Sequence, residues 1–134
     1  MRFVKISKPE MEAVRQLYES VMSYACHGLF FREGLSLGGE VAEMAAKGED
    51  FFDACRRILI ARGWAEDITF GEKEVKVAGS IEATEEASAV TCHRLKGILS
   101  RVLESDGSPR VSLTETKCAS TGGAACVFKV EAAA

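Results

Sequence analysis

The feature that most limits how this chain can fold lies near its C-terminus. The run Glu115-Thr-Lys-Cys118-Ala-Ser-Thr-Gly122-Gly123-Ala-Ala-Cys126 is flanked on both sides by strand-like patterns, with Cys92 upstream. A chain that leaves one strand at Cys118 and re-enters the next at Cys126 must reverse sharply between them. The Gly122-Gly123 pair supplies backbone conformations that only glycine adopts cheaply. Thiolate and carboxylate donors suit Zn²⁺, which takes four protein ligands in a closed structural site. The spacing alone leaves two readings open, because the common C-x-x-C pair is absent. Either these groups bind metal, or Cys118 and Cys126 are small buried residues and Glu115 is solvated.

The rest of the chain reads as one α+β domain spanning residues 1–134, an antiparallel sheet packed by helices. Ser7-Lys-Pro9-Glu10 is a helix start, with Ser7 as cap, Pro9 in the first turn and Glu10 closing a capping box. Met11, Val14, Leu17, Tyr18, Val21, Met22 and Ala25 then recur at helical spacing and predict one buried face. Glycines interrupt the following apolar stretch, predicting a bend near His27–Gly28 and a second helix to about Ala46. Close helix packing is the simpler account of the glycines from Gly34 to Gly39. A third helix opens at Gly48-Glu-Asp50 and closes at Gly63, with Phe51, Cys55, Ile58 and Leu59 facing inward. Ile68, Phe70, Val75, Val77 and Ile81 alternate around Gly71–Lys73, a hairpin signal. Thr84 starts a last helix carrying Leu95, Ile98, Leu99, Val102 and Leu103, with Gly107 past its end. Arg110–Glu115 and Cys126–Glu131 form a final strand pair.

Composition excludes several function classes. A formal net charge of −3 argues against a nucleic-acid surface, which usually carries a basic excess. No apolar run is long enough to span a bilayer, and the Met-Arg-Phe-Val-Lys start has no signal-peptide core, so a cytoplasmic protein is expected. Five cysteines without an export signal fit a reducing compartment, where clustered thiols bind metal more often than they pair. Cys26 and Cys55, inside helical patterns, are small buried hydrophobes. No dinucleotide fingerprint, P-loop or nucleophile elbow occurs, and no catalytic residue is assigned.

Six further residues have a polar or aromatic character that needs weighing. His93 follows Cys92 directly, and on a helix it points about 100° away, so it is not read as a co-ligand. His27 is either a histidine hydrogen-bonded near a helix end or a polar anchor in a ligand pocket. Tyr24 lies beside it. Phe30, Phe31 and Trp64 are wall material for such a pocket, though aromatic residues at helical spacing are usually packing.

Glu115-x-x-Cys118-x7-Cys126, followed by an apolar strand and preceded by Cys92, resembles the 4-vinyl reductase domain family. That family includes the sensory domains of phenol- and xylene-responsive transcription activators. The motif covers roughly residues 87–131, with a weaker likeness at Leu29–Ala45. The resemblance implies a zinc ion held by Cys92, Glu115, Cys118 and Cys126. With three thiolates and a carboxylate that site is full, so the metal is expected to be structural rather than catalytic. It further implies the ligand-binding fold shared with nitric-oxide-signalling and Golgi-transport proteins, with an apolar pocket between the N-terminal helices and the sheet. A small hydrophobic ligand is expected there, contacted by Tyr24, His27, Phe30, Phe31 and Trp64. The His and Trp that contact ligand in the phenol sensors find no matching positions. Their ATPase and DNA-binding regions are not in this sequence, so any output is expected to pass through an unidentified partner. A homodimer is expected from the family likeness and the long apolar N-terminal helix. Two other readings stand beside the sensor: a reductase or accessory protein acting on a vinyl-bearing tetrapyrrole or hydrocarbon substrate, and a structural adaptor resembling vesicle-tethering subunits.

Overall fold

A computed structural model of the chain describes residues 2–45, 50–83, 90–105, 110–118 and 125–132. The first helix, α1 (Lys8–Met22), starts as its sequence predicts. The Ser7 hydroxyl accepts from the Glu10 N–H at 3.3 Å, and the Glu10 carboxylate accepts from the Ser7 N–H at 3.0 Å. Such caps stabilise a helix by about 1 kcal/mol. A short 3-10 turn, Ser23–Ala25, then leads into α2 (Cys26–Ala45). The break therefore falls four residues before the expected bend, because Ser23, not Gly28, leaves the helical region. Its φ of 53° and ψ of −145° are a conformation that costs a non-glycine residue on the order of 1–3 kcal/mol.

The buried face expected on α1 is absent: none of its residues is buried, and Leu17, Tyr18, Val21 and Met22 are exposed. The periodicity predicted an apolar stripe correctly, but the domain's own core does not cover it. Helix α3 (Phe51–Ala61) is capped by Asp50, whose carboxylate accepts from the Asp53 N–H. Cys55 and Leu59 are buried, with Phe51 and Ile58 packed against the core. Helix α4 (His93–Ser105) begins later than expected, since Val90–Cys92 are not helical. The proposed helix starts at Thr84 and Gly48 and the stop at Gly107 lie outside the described residues.

Helices α2 and α4 pack closely. A Cβ built on Gly34 would overlap the carbonyl of Arg94, and one on Gly97 the carbonyl of Phe31. One on Gly38 would lie 2.6 Å from the Ile98 carbonyl oxygen. Glycine at these three positions lets the two backbones meet. This contact fixes α4 against α2 and puts Leu95, Ile98, Leu99 and Val102 in the core.

The strands are β1 (Asp67–Phe70), β2 (Glu74–Ala78), β3 (Val111–Lys117) and β4 (Cys126–Ala132), in antiparallel order β1-β2-β4-β3. The Gly71 N–H closes the first hairpin on the Glu74 carbonyl at 2.9 Å. Ile68, Val75, Val77, Leu113, Cys126 and Phe128 point inward, and the residues between them mostly face solvent. Burying each such apolar side chain contributes about 1.5–3 kcal/mol. Together these elements form the expected α+β fold, a four-stranded antiparallel sheet packed by helices.

Candidate metal centre

Residues 115 and 118 differ by an odd number, so a regular strand would aim them at opposite faces of the sheet. The structure avoids this with a bulge. Glu115 pairs with Phe128, Lys117 pairs with Val127, and Thr116 is the extra residue between them. A bulge shifts the alternation by one position. Glu115 and Cys118 consequently share the inner face with Cys126, which opens β4. Cys92 arrives from the other side, at the residue just before α4.

These placements bring four donor atoms to within 4.8 Å of one another. The Sγ atoms of Cys92 and Cys126 are 3.5 Å apart, those of Cys118 and Cys126 3.7 Å, and those of Cys92 and Cys118 4.0 Å. All three cysteines are completely buried. Metal–thiolate bonds of about 2.3 Å at tetrahedral angles give S···S edges of about 3.8 Å. The three separations bracket that value. Glu115 Oε1 accepts from the Cys92 N–H at 3.3 Å, and its Oε2 is buried without a hydrogen-bond partner. An orphaned carboxylate oxygen beside three converging sulfurs fits a cation, whose charge would satisfy it.

The electrostatics agree. Burial and the neighbouring Cys118 push the Glu115 carboxyl up to about 8. Contacts with Cys118 and Cys126, together with burial, push the Cys92 thiol well above its ordinary range. Burial and crowding thus favour the protonated forms of Glu115 and Cys92, and a divalent cation would reverse that preference. The cluster can therefore hold a metal ion. Around it, the Ser80 hydroxyl lies 3.1 Å from Cys92 Sγ and the Thr91 hydroxyl 3.8 Å from Cys118 Sγ. Ser80 and Thr91 carry no motif, and sequence reasoning missed them.

A second group of residues also escaped sequence reasoning. Glu82, nearly fully buried, caps α4 by accepting from the N–H groups of Arg94 and Leu95 at 3.2 and 2.8 Å. Its carboxylate also pairs with the Arg94 guanidinium at 3.5 Å. Burial outweighs these contacts and pushes its pKa up to about 7. Arg94 in turn bonds Glu33 at 3.0 Å and lies 4.2 Å from the centre of the Phe30 ring.

The expected ligand residues are only partly brought together. Tyr24 is exposed and stacks on His27 at 4.9 Å. His27 bonds Glu19 at 2.6 Å and stacks on His93 at 3.8 Å. Burial and the nearby His27 hold the His93 imidazole down to about 4, and its Nε2 is buried without a partner. Phe30 is buried beneath Tyr18 and Arg94, and Phe31 lies beside Lys96. Trp64 is on a different element, after α3, packed on the core. Between α1 and the elements opposite it lies a polar-rimmed cleft. Met11, Glu12 and Arg15 line one side and Phe30, Glu82 and Arg94 the other, enclosing about 10 Å³, room for a single water.

Residues 74–132 match the family model described as the V4R domain. The expected likeness to the 4-vinyl reductase domain family is real. The V4R match runs from β2 to the end of β4 and contains the whole Cys–Glu cluster. Two solved structures share the fold over nearly the whole chain. One is the phenol-responsive sensory domain of the transcription activator PoxR with phenol, 16% identical, with a TM-score of 0.80 over 97% of this chain and 76% of that one. The other is a vinyl-4-reductase family protein from Methanocaldococcus jannaschii, 18% identical, with a TM-score of 0.70 over 99% of this chain and 85% of that one. No curated protein matches the chain. No helix among the described residues is long and apolar enough to cross a membrane.

Proposed function

We propose that this chain is a small-molecule-sensing V4R domain stapled by one structural zinc ion, bound by Cys92, Glu115, Cys118 and Cys126. The observation that carries the metal reading is the convergence of three Sγ atoms at tetrahedral separations around the orphaned Glu115 oxygen. A full ligand set supplies no open position, so the metal's contribution is mechanical. It ties the start of α4 to the β3–β4 hairpin, a useful staple for a small domain. Sensing is supported by the V4R match and by the fold shared with a phenol-responsive sensory domain. The ligand class is a small molecule with an apolar body and one hydrogen-bonding head, contacted by Phe30 and, at the rim, Tyr24 and His27. Phe31 and Trp64 are further wall candidates. The domain acts in the cytoplasm as a homodimer through the exposed stripe of Leu17, Tyr18 and Val21. Its output passes to a partner protein.

The small cleft and that same exposed stripe favour a second reading, a protein-binding adaptor with no ligand. Native mass spectrometry of the purified chain, followed by a thermal-shift panel of aromatic, terpenoid and fatty compounds, separates the two. A sensor retains or acquires a ligand and melts several degrees higher when saturated. An adaptor carries its metal but responds to no compound in the panel.

A further inference from the structure

Nothing larger than a water fits the cleft as it stands, so the wall that moves decides whether a ligand can enter. We propose that α1 is a hinged cover, opening about Ser23–Ala25 while the rest of the domain stays folded. Three of the residues lining the cleft, Met11, Glu12 and Arg15, belong to α1, and the opposite wall belongs to α2, α4 and the segment before α4. Swinging α1 away exposes Glu82, Thr91 and Arg94.

Four observations point to this hinge. First, α1 has no buried residue, whereas α2 and α4 each hold several, so the main apolar group that lifting it uncovers is the Phe30 ring beneath Tyr18. Segments with few buried contacts are the ones that open locally. Second, the joint is already broken and strained. Ser23 sits at φ 53° without being glycine, and a 3-10 turn follows. Such a conformation persists only where the surrounding structure holds it. Third, the closed form has an identifiable clasp. Glu19 bonds His27 on α2 at 2.6 Å and Arg15 on α1 at 2.8 Å, and His27 rests face to face on His93 of α4. Fourth, the exposed wall leads to the metal cluster, because Thr91 lies 3.8 Å from Cys118 Sγ and bonds the Glu82 carbonyl at 2.8 Å. A guest seated against Thr91 and Arg94 thus touches the hairpin that the metal holds. That last link rests on the sensing function proposed above; the hinge itself does not.

Two buried thiols report on the motion. Cys26 is completely buried at the joint, its Sγ donating to the Ser23 carbonyl at 3.3 Å, and Cys55 is completely buried in the core on α3. The experiment measures labelling of both by iodoacetamide in the native metal-loaded protein, read by mass spectrometry, alongside amide hydrogen exchange of α1 and α4. Cys26 is expected to label about tenfold or more faster than Cys55, with α1 amides exchanging while α4 stays protected. Glu19→Ala, which removes the clasp, should accelerate Cys26 labelling and α1 exchange but leave Cys55 and α4 unchanged. Since Glu19 also raises the Cys26 thiol pKa, the α1 amides provide the readout free of thiolate chemistry. A common rate for Cys26 and Cys55 would overturn the hinge, because α1 would then open only by global unfolding. Rapid α1 exchange with Cys26 still at the Cys55 rate would overturn it equally, as fraying from the N-terminus. An unchanged α1 rate in Glu19→Ala would remove Glu19 as the clasp.

Discussion

Glu115 reaches across 23 residues to accept the backbone N–H of Cys92 at 3.3 Å, leaving its second oxygen buried without a partner among three sulfurs. One carboxylate thereby orients the residue that starts α4 and offers a free lone pair to the cluster. Loss of a neighbouring thiol should be far more disruptive than loss of the carboxylate charge. Cys118→Ser is expected to reduce bound metal from one per chain to none and to lower stability by several kcal/mol, since structural metal binding is folding free energy. Glu115→Gln is expected to retain metal with weaker affinity. Elemental analysis and the thiolate-to-metal absorption of the cobalt-substituted protein check both. Stoichiometric metal in Cys118→Ser would contradict the site.

The α2–α4 contact leaves no space for a methyl group. Gly34→Ala and Gly97→Ala must each separate two backbones, since the overlapping atoms are carbonyls that no rotamer change can move. Each should destabilise by about 3 kcal/mol or more, at or beyond the usual range for overpacking. Gly28→Ala, in the same helix as Gly34 but with nothing within 4 Å, should instead stabilise by about 0.5–1 kcal/mol. Urea titration of the three variants tests the contrast.

Glu82 makes stability depend on pH with a definite sign. Its pKa is raised in the fold to about 7 from an ordinary value near 4.5. Between those values the folded protein holds a proton that the unfolded chain has released. Its contribution is therefore fully present below pH 4.5 and is lost as pH rises through about 7, on the order of 3 kcal/mol in all. Glu82→Gln keeps an acceptor for the α4 N–H groups without titrating. Unfolding free energies at pH 5 and pH 8 should fall more steeply for the natural protein than for Glu82→Gln. Parallel profiles would show that the carboxylate is stabilised in place by Arg94.

On α1, Leu17 is 57% exposed and Val21 75% exposed, so charged substitutions there cost the isolated fold little. If this stripe joins two copies, Leu17→Lys with Val21→Glu should convert the dimer to a monomer while shifting folding stability by less than about 0.5 kcal/mol. Sedimentation velocity at micromolar concentration decides it. A natural protein that sediments as a single 14.5 kDa species would rule out the dimer.

What the sequence determined by itself was local. The Ser7–Glu10 capping box, the alternation around Gly71–Lys73, the buried face of α4 and the glycine spacing on α2 each follow from residues a few positions apart, whose geometry is set by the helical or strand period. The types and spacing of Cys92, Glu115, Cys118 and Cys126 were legible in the same way. What only the tertiary structure decided was which groups meet. Strand periodicity alone sends Glu115 and Cys118 to opposite faces, and the bulge at Thr116 reunites them. Glu82, Ser80 and Thr91 had no signal, because a buried carboxylate or hydroxyl is identified by its partners, and those partners come from distant segments. The stripe on α1 was correctly read as apolar and incorrectly read as buried. Periodicity reports that a helix has an apolar face, but whether that face is covered depends on the space left by the rest of the fold, and here α2 and α4 close on each other through Gly34, Gly38 and Gly97 and leave α1 outside.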